Sequence, residues 1–133
     1  MGSKSNVLEN KILDAILGGP TYALPATVWV ALYTVTPTDA GGGTECTGGS
    51  YARVSLTNNA TNWPAGASGA KANGVAITFP AATGAWGTVV AFAIHDHATL
   101  DQPLYWGAVT PNQVVSSGVT ASFAIGALDV TED

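Results

Sequence analysis

Residues 27–35 read Thr-Val-Trp-Val-Ala-Leu-Tyr-Thr-Val. In an extended chain successive side chains point to opposite faces, so Val28, Val30 and Leu32 share one side and Trp29, Ala31 and Tyr33 the other. Both sets are apolar, and the stretch therefore predicts a strand covered on both sides. An N-terminal helix is the natural cover for one of those faces, with a neighbouring subunit as the alternative.

Upstream, residues 6–17 predict that helix. Leu8, Ile12, Ala15 and Ile16 recur at spacings of three and four, Leu13 and Leu17 broaden the stripe, and such a face is expected to bury. Asn6 and Glu9 have the spacing of a capping box at its start, and Gly18-Gly19-Pro20 ends it. Downstream, strands are expected at residues 51–57, 75–79, 87–95, 103–109 and 122–130. They are bounded by the turn formers Asn58-Asn59, Asn73-Gly74, Thr83-Gly84, Pro111-Asn112 and Ser117-Gly118. The fold class that follows is mainly β: an antiparallel β-sandwich or jelly-roll-like domain with one N-terminal α-helix. A single domain over residues 1–133 is expected, with the helix at 6–17 and the sandwich at 27–130. The Gly-rich stretch 36–49 and the small, polar stretch 60–71 around Trp63 read as loops.

The chain has 133 residues, long enough to bury roughly two thirds of its unfolded surface in one core. Apolar residues make up 47%, whereas Asp, Glu, Lys and Arg together reach only 10% and the net charge is −5. Soluble domains carry about 25% charged residues. Their replacement here by Ala, Thr, Gly, Asn and Ser points to an exterior largely covered by other protein. A free-standing β domain with a neutral polar surface is the alternative. Lys4, Lys11, Arg53 and Lys71 are the only cationic side chains besides the histidines. They cannot build the basic patch that nucleic acid requires. The first 20 residues carry two Lys, two acids and no long apolar run, the pattern of neither a signal peptide nor a membrane span. Synthesis in a cytoplasm is the expectation. Cys46, the only cysteine, lies among glycines and is expected as a free thiol in an exposed loop, with an intermolecular disulfide as the alternative.

Few residues suggest chemistry. His95 and His97 lie two apart on a predicted strand end with Asp96 between them, making them weak metal candidates, although a site needs three or four ligands. Gly48-Gly49-Ser50-Tyr51-Ala52 falls short of a nucleophile elbow. Gly41-Gly42-Gly43 lacks the Lys and following Ser or Thr of a phosphate loop. No enzymatic activity and no cofactor are expected. Trp63, Trp86 and Trp106 are candidates for stacking on a sugar, and Trp63 equally for anchoring its own loop.

Several segments together resemble a family of small tailed-bacteriophage proteins described as tail-fibre-like. They are Ala31-Leu32-Tyr33-Thr34, then Pro37-Thr38-Asp39-Ala40-Gly41-Gly42-Gly43-Thr44-Glu45, then Gly48-Gly49-Ser50-Tyr51-Ala52-Arg53. Further on come Asn73-Gly74 leading to Ile77 and Phe79-Pro80, Trp86-Gly87-Thr88, Leu104-Tyr105-Trp106-Gly107, and Phe123-Ala124 leading to Gly126-Ala127-Leu128. The chain departs from that pattern at His95-Asp96, where members carry an apolar–acid pair such as Phe-Asp before a Gly-containing turn. The resemblance implies a virion structural protein made in the bacterial host, either a capsid decoration or cement protein or a tail or fibre component. Its implied partners are major capsid or tail subunits and further copies of itself, a trimer being the natural unit. A receptor- or glycan-binding module of a fibre is the alternative. Contacts are expected through Leu8 and Ile12 of the helix, through Thr44, Cys46 and Tyr51 of the Gly-rich loop and its flank, and through Trp63.

Overall fold

A computed structural model describes residues 2–132. The both-face-apolar stretch forms β2 (Thr27–Val35), and β7 (Gly87–His95) lies antiparallel along it with Val30 opposite Ile94 and Leu32 opposite Phe92. On β7 lies β8 (Pro103–Val115), and on β8 lies β1 (Gly2–Lys4), a strand too short and polar to predict. The other edge of β2 is shared by β4 (Val54–Thr57), opposite residues 27–30, and β3 (Thr44–Glu45), opposite Tyr33 and Val35. Two antiparallel pairs stand apart from this six-stranded sheet. They join β5 (Ala70–Ala72) to β10 (Asp129–Thr131), and β6 (Ile77–Thr78) to β9 (Ser122–Phe123).

The result is sandwich-like. Val28, Val30 and Leu32 of β2 and Phe92 and Ile94 of β7 form one apolar cluster with Ile77, Phe79, Leu128 and Val130 from the smaller pairs and their flanks. Trp63 and Trp86 close into the same cluster. The opposite face of the large sheet is lined by Ala31, Tyr33, Ala91 and Ala93, all fully or nearly fully buried. Alanine there lets cover approach closely. Val90 and Trp106 pack against this cluster, and Asp39 of the loop after β2 ties to it by accepting hydrogen bonds from Trp106 Nε1 at its carboxylate (3.1 Å) and from the Asn6 amide at its carbonyl (2.9 Å).

Helix α1 (Asn6–Ile16) is capped by Ser5, not by Asn6. Ser5 is buried because its hydroxyl donates to the Pro103 carbonyl, and this holds its backbone extended while Oγ accepts from the Leu8 amide. The end matches expectation: Gly18 takes a left-handed φ of 84°, and the Gly19 amide donates to the Asp14 carbonyl. Strand β8 runs on past its expected end at residue 109. Ala108 faces Ala91 and Gln113 faces Val89, so residues 109–112, with the cis Thr110–Pro111 bond, are an excursion inside the strand rather than a turn after it. The segment expected as one strand at 122–130 is β9 and β10, parted by a turn with Gly126 at φ 77°. Asn73 organises this turn. Its side chain donates to the carbonyls of Val75 and Ala124 and accepts from the Leu128 amide, and its own carbonyl accepts from Gly126. Among the described residues no helix is long and apolar enough to cross a membrane.

Candidate interaction surface

The helix buries only Leu8. Ile12 is half-buried, while Leu13, Ile16 and Leu17, at spacings that keep them on one side, are 55%, 71% and 75% exposed. Within one chain, then, most of the apolar stripe is left uncovered. Ser5 fixes the helix start on β8, and the helix leaves the sheet as it proceeds, so only its first turn reaches the core.

Beside the helix the chain forms an apolar groove of about 550 Å³. Its floor is Val28, Ile94, Leu104 and Val130, and its walls are Leu8, Tyr22, Leu24, Pro25 and Trp63. Leu24 is 75% exposed. Burial holds the Tyr22 hydroxyl above its ordinary pKa, against the lowering effect of Lys11, whose ammonium lies 5.5 Å from the Tyr22 ring centre. Lys71 and Glu132 stand among the lining residues, and Tyr105 donates to Glu132 Oε1 at 2.9 Å.

The other expected contact residues turn inward, with one exception. Trp63 is 7% exposed and packed in the core, with its indole Nε1 buried and lacking a hydrogen-bond partner. It anchors its own loop, and neither it nor the buried Trp86 presents a face on which a sugar can stack. Cys46 is 2% exposed, not in an exposed loop. Its amide donates to the Leu32 carbonyl, which extends the β3 pairing and turns the thiol into the core, where burial pushes its pKa up to about 11. Tyr51 packs edge-on against Trp86 and stacks with Phe79. Its hydroxyl accepts from the Leu32 amide and donates to Glu45 Oε1, filling the gap between β3 and β4 along β2. Thr44 remains exposed at the sheet edge.

A polar clasp lies beside Tyr51. Arg53 donates from Nε to Glu45 Oε1 (2.9 Å) and from Nη2 to Glu45 Oε2 (2.7 Å), a bidentate pair with the Arg53 side chain 4% exposed. Its Nη1 donates to the carbonyls of His97 and Leu100 and so pins the loop after β7. Burial alone would raise the Glu45 carboxyl. The hydrogen bonds from Arg53 and Tyr51 and the Arg53 charge outweigh it and hold the carboxyl below its usual range. His95 is wholly buried and hydrogen-bonded through Nε2 to the Tyr33 hydroxyl at 3.1 Å. Burial first, then the nearby Arg53 charge, lowers its pKa to about 4. The Gln102 backbone lies near enough to favour the charged ring weakly, yet Nδ1 has no partner with hydrogen-bond geometry.

The two histidines of the weak metal trio do not converge. His97 is exposed, and its Nδ1 accepts from the amides of Thr99 and Leu100, whereas Asp96 pairs with Lys11 at 3.3 Å. Among the described residues no three His, Cys, Asp or Glu side chains gather as a metal site would need. What the geometry offers is a surface: an exposed apolar helix end beside an apolar groove, on a sheet stiffened by internal polar pairs. A family model described as Gp80, podophage GP4 fiber I protein gp80, matches residues 3–131. No curated protein matches the sequence.

Proposed function

Because the chain belongs to the family of podophage GP4 fiber I protein gp80, a family of phage structural fibre proteins, we propose that it builds the fibre as a symmetric homotrimer. Membership makes it a structural component of the virion in contact with other virion components. The trimer, and the fibre in preference to a decorated capsid shell, are the finer reading.

One observation carries it: Leu13, Ile16, Leu17 and Leu24, each more than half exposed, sit beside an apolar groove on a chain with only 10% charged residues. Isolated surface leucines are ordinary, but a grouped apolar strip on a charge-poor exterior marks a protein–protein contact. A sandwich-like fold cross-braced by the Arg53–Glu45 pair and the Asn73 bonds suits a load-bearing part. Two measurements test the reading. Light scattering on the purified chain should give a trimer that Ile16→Asp with Leu17→Asp converts to a folded monomer. Cryo-electron microscopy of virions carrying a tagged chain should place the tag on fibres. A chain that stays monomeric at high concentration refutes the oligomer, and a tag confined to the capsid shell refutes the fibre.

A further inference from the structure

Resting on the homotrimer reading, we infer that the exposed end of α1 in each copy seats in the apolar groove of the next copy, and that Asp14 at the helix end then pairs with Lys71 at the groove. The two halves of this contact match in apolar character and in charge. Leu13, Ile16 and Leu17 form a protruding strip, and the groove of about 550 Å³ has room for several aliphatic side chains. Tyr105 and Glu132 at its rim are bonded to each other, and Lys71 is the charged lining group without an ion-pair partner among the described residues.

Charge narrows the occupant further. Lys4 pairs with Glu132, Lys11 with Asp96 and Arg53 with Glu45. Lys71 lines the groove and is exposed, and among the described residues it is the one Lys or Arg without an ion-pair partner. Asp14 borders the apolar strip, is exposed, and has no salt bridge among the described residues. A second copy thus supplies both what the groove lacks and what the strip lacks. The two surfaces are different patches of one chain, so the contact is head-to-tail, and three such contacts close a ring.

The chain offers a clean test because its only cysteine is buried. In the full-length Ile16→Cys, Lys71→Cys double variant, oxidation should yield a covalent trimer on a denaturing gel. Each single variant should yield at most traces of cross-linked product. Separately, Lys71→Glu and Asp14→Lys should each raise the concentration at which the trimer dissociates by about two- to fivefold per contact, and combining them should restore it. Wild-type assembly with no covalent trimer and no recovery in the charge swap overturns this contact while leaving the homotrimer standing. A covalent dimer that never grows also overturns it, since it shows a two-fold contact. Failure of the wild-type chain to oligomerise at all sinks the underlying reading instead.

Discussion

Acidification should weaken this fold first through His95, with Glu45, whose carboxyl is also held below its usual range, adding to the loss at lower pH. In the unfolded chain the His95 imidazole titrates near 6.5, and in the folded chain burial and the Arg53 charge lower that to about 4. Between these values the unfolded state holds a proton that the folded state does not. Unfolding free energy then rises with pH, and stability is lost as pH falls toward the folded value. Each unit of separation is worth about 1.36 kcal/mol. Two pH units lie between the unfolded value and pH 4.5, and partial protonation of the folded ring near its own pKa trims the effect, so the expected loss from pH 7 to pH 4.5 is a little over about 2 kcal/mol. His95→Gln keeps a polar group for the Tyr33 hydroxyl but cannot titrate. Urea unfolding followed by tryptophan fluorescence, for wild type and variant at fixed protein concentration, isolates the effect because every other titrating group is common to both. The wild-type curve should drop about 2 kcal/mol more than the variant's over this interval. Parallel curves would show that the ring charges freely in the folded state, and the argument from its burial would be wrong.

Asn73→Ala should cost about 2–4 kcal/mol, because it strands the buried Leu128 amide and two carbonyls at the turn between β9 and β10. For a domain of this size that is a fall in Tm of roughly 10 °C by calorimetry, and a loss under 1 kcal/mol would show the turn to be held otherwise. Arg53→Ala should cost about 2–3 kcal/mol and leave the Glu45 carboxylate with Tyr51 as its remaining side-chain donor. Residues 97–101 should then exchange their amide hydrogens faster. Arg53→Lys should not restore protection, since an ammonium cannot span both carboxylate oxygens and two carbonyls. Rescue by Lys would mean that charge alone holds the loop.

What was legible in the sequence follows the size of the local signal. Residues 27–35 and 87–95 are long, β-branched and apolar, and they form β2 and β7 with the expected bounds. Residues 2–4, 44–45 and 70–72 are strands only because long strands or a partner segment fix their backbones, and no two- or three-residue polar stretch signals that. The break at residues 124–128 depends on Asn73, some fifty positions away. Cys46 misled for a related reason: its glycine neighbours read as a loop, while the Leu32 carbonyl that draws it inward lies fourteen residues upstream. Of the candidate contact residues on the helix, Leu8 is buried within its own chain and Ile12 is half-buried. The exposed partners Leu13, Ile16 and Leu17 were in the same stripe, but periodicity says which residues share a side and not how far along the helix the core extends.

The distribution of charge gives the assembly reading its sharpest form. A chain with four Lys and Arg residues has little with which to keep its exterior in water, and three of the four are engaged in intrachain pairs that hold a terminus, a helix and a loop. Arg53 in particular is almost wholly enclosed. Positive charge therefore serves to fix the shape of the domain, and most of the surface is left to small polar side chains and to carboxylates. On such a surface the pairing of Lys71, which has no ion-pair partner among the described residues, with a carboxylate from outside would select one partner and one register, while the apolar strip and groove would supply the affinity. This division assigns different outcomes to the two kinds of substitution. Changing Ile16 to Asp should abolish association, whereas changing Lys71 to Glu should weaken it and reverse its salt dependence, because two carboxylates then face each other and added salt screens their repulsion. If added salt still weakens association in the Lys71→Glu chain, the selecting charge lies elsewhere.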